Sequence, residues 1–121
     1  MRVEFVPLTA ALAREFYGQA PMYSLRGMAA VDSQTQRVLA LFGVYYGAAR
    51  TLVAFSEVAA GVELSGRTWV LGGRALLKLL QERALPVIAY AMSEKNRRFL
   101  EYLGFEFVLT SSSGDILTWS P

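Results

Sequence analysis

A glycine pair, Gly72-Gly73, precedes an amphipathic stretch that runs to Ala84. The polar residues of this stretch recur at positions i, i+4, i+7 and i+8, as Arg74, Lys78, Gln81 and Glu82. The other residues are nearly all leucine and alanine, so the spacing predicts a helix with one polar and one broad apolar face. A helix of this kind must bury its apolar face against another layer, which limits the chain to layered folds.

The glycine pair also predicts a ligand. Glycines at the start of a helix let a ligand approach the first turn, where several N–H groups have no partner inside the helix. Such a turn favours anions, and Arg74 adds a full positive charge beside it. We therefore expect a phosphate-bearing ligand at Gly72-Gly73. Close packing of the helix on a sheet is the alternative explanation of the same two glycines.

Composition narrows the class of protein. The chain has 121 residues, and we interpret residues 1–121 as a single domain. Hydrophobic residues make up 54% and charged residues 18%, which indicates a sheet covered on both faces or a surface buried against a partner subunit. The net charge of +2 is spread along the chain without a basic tract, so no nucleic-acid partner is expected.

The chain has no cysteine and no histidine. Disulfides, thiolate nucleophiles, the usual general base and the commonest metal ligand are therefore excluded, and no metal site is expected. Arg2 and Glu4 interrupt the start of the chain, which lacks the apolar block of a secretory signal. The longest uncharged stretch, residues 38–49, is too short to span a bilayer. We expect a cytoplasmic protein without a membrane partner.

The order of elements predicts the fold class. Strands are expected at residues 3–6, 28–31, 37–46, 51–58, 87–91, 105–110 and 116–119. Helices are expected between the N-cap Thr9 and Gly18, from the glycine pair to Ala84, and from the N-cap Ser93 to Gly104. Single helices alternating with strands must pack on a mixed sheet, which predicts an α/β (α+β) protein with an antiparallel meander over residues 28–58.

Two motifs within this order of strands and helices resemble those of a known family. The sequence Gly73-Arg74-Ala75-Leu76-Leu77 opens the predicted helix, and Leu103-Gly104-Phe105-Glu106 follows the last one. The chain thereby resembles the GCN5-related N-acetyltransferases (the GNAT superfamily) over most of its length, most strongly over residues 51–108. The resemblance implies a mixed, mostly antiparallel central sheet of six or seven strands with helices on both faces.

The resemblance also implies a donor, acetyl-CoA. Its pyrophosphate would lie on backbone amides at the glycine-led helix, and its pantetheine arm between the strands at 51–58 and 87–91, which splay apart in that fold. The cofactor-binding residues implied are Val58, Ala59, Arg67, Thr68, Leu71, Gly72, Gly73, Arg74, Ala75, Asn96 and Phe99. The family's phosphate loop begins with Gln or Arg and carries two small residues. Here Thr68 and Leu71 stand at the first two of those positions, and only Gly73 matches.

The candidate catalytic residues are Glu57 and Tyr102. Glu57 lies near the end of its strand, where the family often places the carboxylate that deprotonates the amine. Leu100 stands where the family has the tyrosine that acts as general acid, and Tyr102 is the tyrosine nearest to that position in sequence. Tyr90, and Tyr45 or Tyr46, are the other candidates. Each of these side chains has a simpler explanation, a solvent-facing carboxylate or an aromatic at the rim of the core.

Three functions are consistent with these residues. The leading hypothesis is an acetyl-CoA-dependent N-acetyltransferase that acts on an unidentified small-molecule or protein amine. The second is a catalytically inactive GNAT-fold binding or structural protein, similar to small GNAT-like proteins of tailed bacteriophages. The third is a plain α+β dimerisation domain. The segment at residues 17–26 would form the acceptor pocket or, alternatively, a homodimer contact.

Overall fold

The computed structural model describes residues 2–121, which form three α-helices and seven strands. The strands are β1 (Val3–Pro7), β2 (Arg26–Asp32), β3 (Val38–Tyr46), β4 (Leu52–Val58), β5 (Val87–Ala91), β6 (Glu106–Ser111) and β7 (Gly114–Trp119). The helices are α1 (Ala10–Tyr17), α2 (Gly66–Arg83) and α3 (Glu94–Tyr102), and a 3₁₀ turn spans Ala48–Arg50.

The seven strands form a single sheet in the order β1-β2-β3-β4-β5-β7-β6. Every neighbouring pair is antiparallel except β4 and β5, which are parallel. A parallel pair needs a crossover connection, and α2 supplies it between β4 and β5. The predicted α+β class, with a mostly antiparallel sheet, is confirmed.

The pairing of β4 with β5 covers only part of either strand. Leu52, Val53 and Ala54 pair with Val87, Ile88 and Ala89, and the ladder ends there. Residues 55–58 of β4 continue beside β3 only, while Tyr90 and Ala91 of β5 continue beside β7. The two strands therefore separate toward their carboxyl ends and leave the β5-facing edge of β4 without a strand partner.

Helices cover both faces of the sheet. On one face, α1 packs its Leu12 and Phe16 on a buried cluster that includes Leu41 of β3. The other face carries α2 and α3, whose Leu76 and Leu100 pack on a core that includes Val44. Side chains alternate across a strand, so β3 supplies the core on both sides. This arrangement fixes which residues of β4 face which helices.

The helix α2 begins earlier than its sequence predicts. Its N-cap is Ser65, whose Oγ accepts the Thr68 N–H at 3.2 Å, and its first residue is Gly66. The prediction that the helix starts at Gly72-Gly73 is wrong, since both glycines are buried in its interior. A Cβ at Gly72 would lie 2.5 Å from the Phe42 ring. The glycine pair therefore serves the packing of α2 on the sheet.

The predicted ends of the other two helices are confirmed. Thr9 Oγ1 accepts the Leu12 N–H at 3.2 Å at the start of α1, and Gly18 ends that helix at a φ of 76°. Ser93 Oγ accepts the Asn96 N–H at 3.1 Å at the start of α3, which places Asn96 on its first turn. The Ser93 cap thus positions Asn96 beside the point where β4 and β5 separate.

Candidate functional site

A cavity of about 570 Å³ opens where β4 and β5 separate. Six consecutive residues of β4, from Val53 to Val58, line it. Successive side chains of a strand point to opposite faces of the sheet. The cavity therefore reaches through the sheet, from the face covered by α1 to the face covered by α2 and α3.

On the α2 and α3 face, a polar bridge crosses the cavity wall. Asn96 Nδ2 donates a hydrogen bond to Ser56 Oγ at 2.9 Å and so ties the first turn of α3 to β4. Trp69 of α2 also lines the cavity, with Lys95 Nζ 5.8 Å from its ring centroid. The Trp69 Nε1–H is buried and has no hydrogen-bond partner among the described residues. This face offers hydroxyl and amide groups and an aromatic ring to a ligand, while the indole N–H is buried.

On the α1 face, tyrosines surround a carboxylate. Tyr17, Tyr45 and Glu57 line both the main cavity and an adjoining cavity of about 280 Å³. The Tyr45 ring stacks on Tyr23 with centroids 5.0 Å apart. Burial, and then the Glu57 carboxylate, raise the pKa of the Tyr17 hydroxyl above its usual range. Tyr17 therefore remains a neutral hydrogen-bond donor beside Glu57.

The smaller cavity is formed largely by the segment predicted to contact the acceptor. Met22, Tyr23 and Leu25 line it, between α1 and β2. The nine residues that line it include three tyrosines and one carboxylate, but no lysine or arginine. Aromatic faces and an anionic group without a cationic partner suit a positively charged ligand.

The two predicted catalytic residues lie in different places. Glu57 is exposed at the junction of the two cavities, as its position near the end of β4 predicts. Tyr102 is 75% exposed at the C-terminal end of α3 and lines neither cavity, so its placement at the site is wrong. Half a helical turn separates Tyr102 from the buried Leu100, which explains why it points away from the sheet. Tyr90 lines the main cavity instead.

Only some of the predicted cofactor-binding residues line the main cavity. Val58 and Asn96 line the main cavity, whereas Phe99 packs behind it on Trp69. The Ala59 amide is taken by a 2.8 Å bond to the carbonyl of Leu39. The remaining predicted residues belong to α2 and do not line the cavity: Arg67, Thr68, Leu71, Gly72, Gly73, Arg74 and Ala75.

The early start of α2 determines which of its backbone amides are free to bind a ligand. Only the first four N–H groups of a helix, counted from the N-cap, lack an internal partner, and in α2 these are the groups of residues 65–68. The amides from Leu71 to Ala75 lie within the helical hydrogen-bond ladder, and Arg74 is exposed. The predicted phosphate turn at Gly72-Gly73 is therefore incorrect.

Two residues of the site were missed by the sequence analysis. Ser56 lies beside Glu57 at the free edge of a strand whose other residues are apolar, and this interruption was a usable signal. Trp69 could have been placed on the helix from the N-cap pattern Ser65-Gly66-Arg67-Thr68. The prominence of the glycine pair concealed that earlier signal.

The split sheet, with its crossover helix beside the split, is a fold that comparison with solved structures identifies. No family model matches the chain, and no curated protein matches its sequence. The GNAT-superfamily phosphinothricin acetyltransferase of Sinorhizobium meliloti, in complex with acetyl-CoA, matches with a TM-score of 0.67 and 14% identity. That match covers 99% of this chain and 89% of the other.

Two further structures match with similar coverage. The N-acetyltransferase YlbP of Bacillus subtilis, in complex with coenzyme A, has a TM-score of 0.56 at 17% identity, covering 99% of this chain and 96% of its own. The KacTA–DNA complex has a TM-score of 0.58 at 15% identity, covering 98% and 93%. Identities this low establish the fold alone, and the chain has the GNAT fold. Within residues 2–121, no helix is long and apolar enough to cross a membrane.

Proposed function

We propose that this protein is an N-acyltransferase that transfers the acetyl group of acetyl-CoA to an amine by direct attack on the thioester. The observation that carries the proposal is the separation of β4 from β5 after Ala54 and Ala89, with a cavity that reaches both faces of the sheet. Solved structures of the same fold contain acetyl-CoA or coenzyme A, which supports the choice of donor.

The donor arm suits the α2 and α3 face of the cavity. Residues 55–58 of β4 present a strand edge that has no partner on the β5 side. A linear, amide-bearing arm can join such an edge through main-chain hydrogen bonds. Ser56 and Asn96 add a hydroxyl and an amide beside it. The arm would then lie between the two strands, with its thioester toward Glu57.

The acceptor suits the α1 face. The smaller cavity joins the main one at Tyr17, Leu25, Tyr45 and Glu57, so a ligand in it can reach the strand opening. Its tyrosines and its carboxylate favour an ammonium group over an anion. We infer an amine that carries no acidic group near the reacting nitrogen. Either a small molecule or a protein side chain could supply it.

The chemistry needs one base and one acid. Acetyl-CoA supplies an activated carbonyl carbon. Glu57 accepts a proton from the amine, directly or through water, as the nitrogen forms a bond to that carbon. Tyr90 donates a proton to the departing sulfur as the carbon–sulfur bond breaks, and solvent returns the proton from Glu57 to Tyr90. The products are an N-acetylated amine and a free thiol.

The substitution Glu57→Gln tests this assignment. It removes the base but keeps the shape of the side chain, so turnover should fall by about 10²-fold to 10⁴-fold. Donor affinity, measured by calorimetry, should stay unchanged, because the base acts on the amine. The control is Glu82→Gln, an exposed change on α2, which should alter neither quantity. Full turnover in Glu57→Gln, measured as thiol release with a panel of amines, would reject the role of Glu57.

One observation favours the second candidate function, a GNAT-fold binding or structural protein without catalysis. The first turns of α2 occupy the position at which the phosphate turn was expected. The two candidates differ in outcome. If the donor raises the melting temperature but no thiol is released with any amine, the binding protein is favoured. If the donor does not raise the melting temperature, acetyl-CoA is not a ligand in either candidate function.

A further inference from the structure

The first part of α2 packs on an aromatic cluster, which we define as Phe42, Trp69 and Phe99. Ring centroids lie 4.8 Å apart for Trp69 and Phe99, 5.9 Å for Phe42 and Trp69, and 6.1 Å for Phe42 and Phe99. Gly72 lies directly on the Phe42 ring, and a Cβ at Gly73 would lie 3.1 Å from Phe99. The aromatic cluster holds this stretch as helix, so its amides are bonded internally.

The true start of α2 is itself capped. Ser65 Oγ accepts the Thr68 N–H at 3.2 Å and lies 3.0 Å from Thr68 Oγ1, while Ser65 O accepts the Trp69 N–H. Arg67 is the cationic residue of this turn, and its side chain is exposed. Glu63, two residues before the cap, lines the main cavity and places a carboxylate on that wall. The cap thus bonds one of the free amides of this turn and leaves those of Gly66 and Arg67, so a diphosphate would meet a partly capped turn and a like charge.

The cavity, in contrast, has partners for an uncharged amide-bearing chain. The open edge of β4 offers main-chain donors and acceptors, and the Ser56–Asn96 bridge offers polar side-chain atoms. The Trp69 ring lines the cavity and carries a buried N–H without a protein partner. The ring itself gives the arm an apolar surface to pack on.

We propose that this protein recognises its donor through the pantetheine thioester arm and takes no affinity from the nucleotide phosphates. Acyl thioesters of pantetheine that lack the adenosine bisphosphate are then competent donors. The inference rests on the proposed function, since it assumes that a thioester occupies the opening between β4 and β5. The part of the donor that the protein selects is then the pantetheine arm.

Calorimetric titration of three compounds tests the proposal: coenzyme A, pantetheine and adenosine 3′,5′-bisphosphate. The affinities of coenzyme A and pantetheine should agree within about threefold, less than 1 kcal/mol. The bisphosphate should neither bind nor compete. Added salt should leave the affinity for coenzyme A unchanged, because no charge contact to phosphate is made.

Two results would be decisive in the other direction. Coenzyme A binding about tenfold or more tightly than pantetheine, or competition by the bisphosphate, would overturn the inference while leaving the proposed function intact. Binding of neither coenzyme A nor pantetheine would overturn the proposed function and the inference together.

Two variants locate the contacts. Asn96→Ala removes the side-chain amide beside the open edge of β4, so it should weaken coenzyme A and pantetheine by the same factor, about threefold to tenfold. Arg67→Gln removes the charge at the start of α2 and should change neither affinity. Weaker binding of coenzyme A alone, in either variant, would contradict the proposal. The melting temperature of each unliganded variant checks that it is folded.

Discussion

Tyr17 and Glu57 approach each other at the junction of the two cavities. Burial is the main reason that the pKa of Tyr17 is raised, and the Glu57 carboxylate adds to it. Both disfavour a second negative charge in that place. Burial, together with Tyr23, Tyr90 and Glu57, also raises the pKa of Tyr45. The fold thus keeps these hydroxyls protonated on the acceptor side, where they can donate a hydrogen bond to a carboxylate. The faces of the same tyrosine rings can contact an ammonium group.

The raised pKa of Tyr17 predicts how stability depends on pH. Its proton is held more tightly in the folded state than in the unfolded state, where a tyrosine has a pKa of about 10. Its contribution to stability is therefore complete below about pH 10 and is lost as the pH rises toward the folded pKa. Tyr17→Phe should show a shallower loss of unfolding free energy in alkaline solution, measured by urea denaturation.

The control for this experiment is Tyr102→Phe, since Tyr102 is 75% exposed and lines neither cavity. It should follow the wild-type dependence at every pH. If Tyr17→Phe also followed the wild-type curve above about pH 10, the coupling of Tyr17 to its burial and to Glu57 would be disproved.

Among the single elements, α2 is predicted only in part by its sequence. The spacing from Arg74 to Glu82 predicts the helix and its polar face, and both are observed. Propensity alone places its start too late, because a glycine inside a helix costs about 1 kcal/mol relative to alanine, and the N-cap Ser65 was the local signal for the earlier start. Contact with Phe42 of β3, thirty residues earlier, is what requires glycine at position 72. Local signals carry no information on such a contact.

The substitution Gly72→Ala tests the packing role of the glycine pair. The new methyl group would lie 2.5 Å from the buried Phe42 ring, which Phe5, Trp69 and Phe99 surround. Overpacking should cost about 1–3 kcal/mol, more than the gain in helix propensity. Chemical denaturation should therefore show a net loss of stability.

Gly66→Ala is the matched control, since the same change at the first residue of α2 meets no atom within 4 Å. It should be neutral or stabilise the protein by up to about 1 kcal/mol. Equal effects of the two substitutions would show that Gly72 has no special packing role.

At the scale of the whole molecule, the order of elements determines most of the fold. Seven strands with single intervening helices are readable from the sequence, and α2 between β4 and β5 requires the one parallel pair. The site is less predictable. Glu57 and Asn96 were found because a resemblance pointed to them, whereas Ser56 and Trp69 become neighbours of the cavity only through strand register and the start of α2. These depend on contacts between distant parts of the chain.

We propose that the opening between β4 and β5 holds the thioester arm of the donor. A crystal structure of the protein with bound coenzyme A tests it most directly. We expect density for the pantetheine arm between residues 55–58 and β5, beside Ser56 and Asn96, with the phosphates away from Gly72-Gly73. Coenzyme A bound elsewhere, or β4 and β5 joined along their full length with no ligand between them, would contradict it.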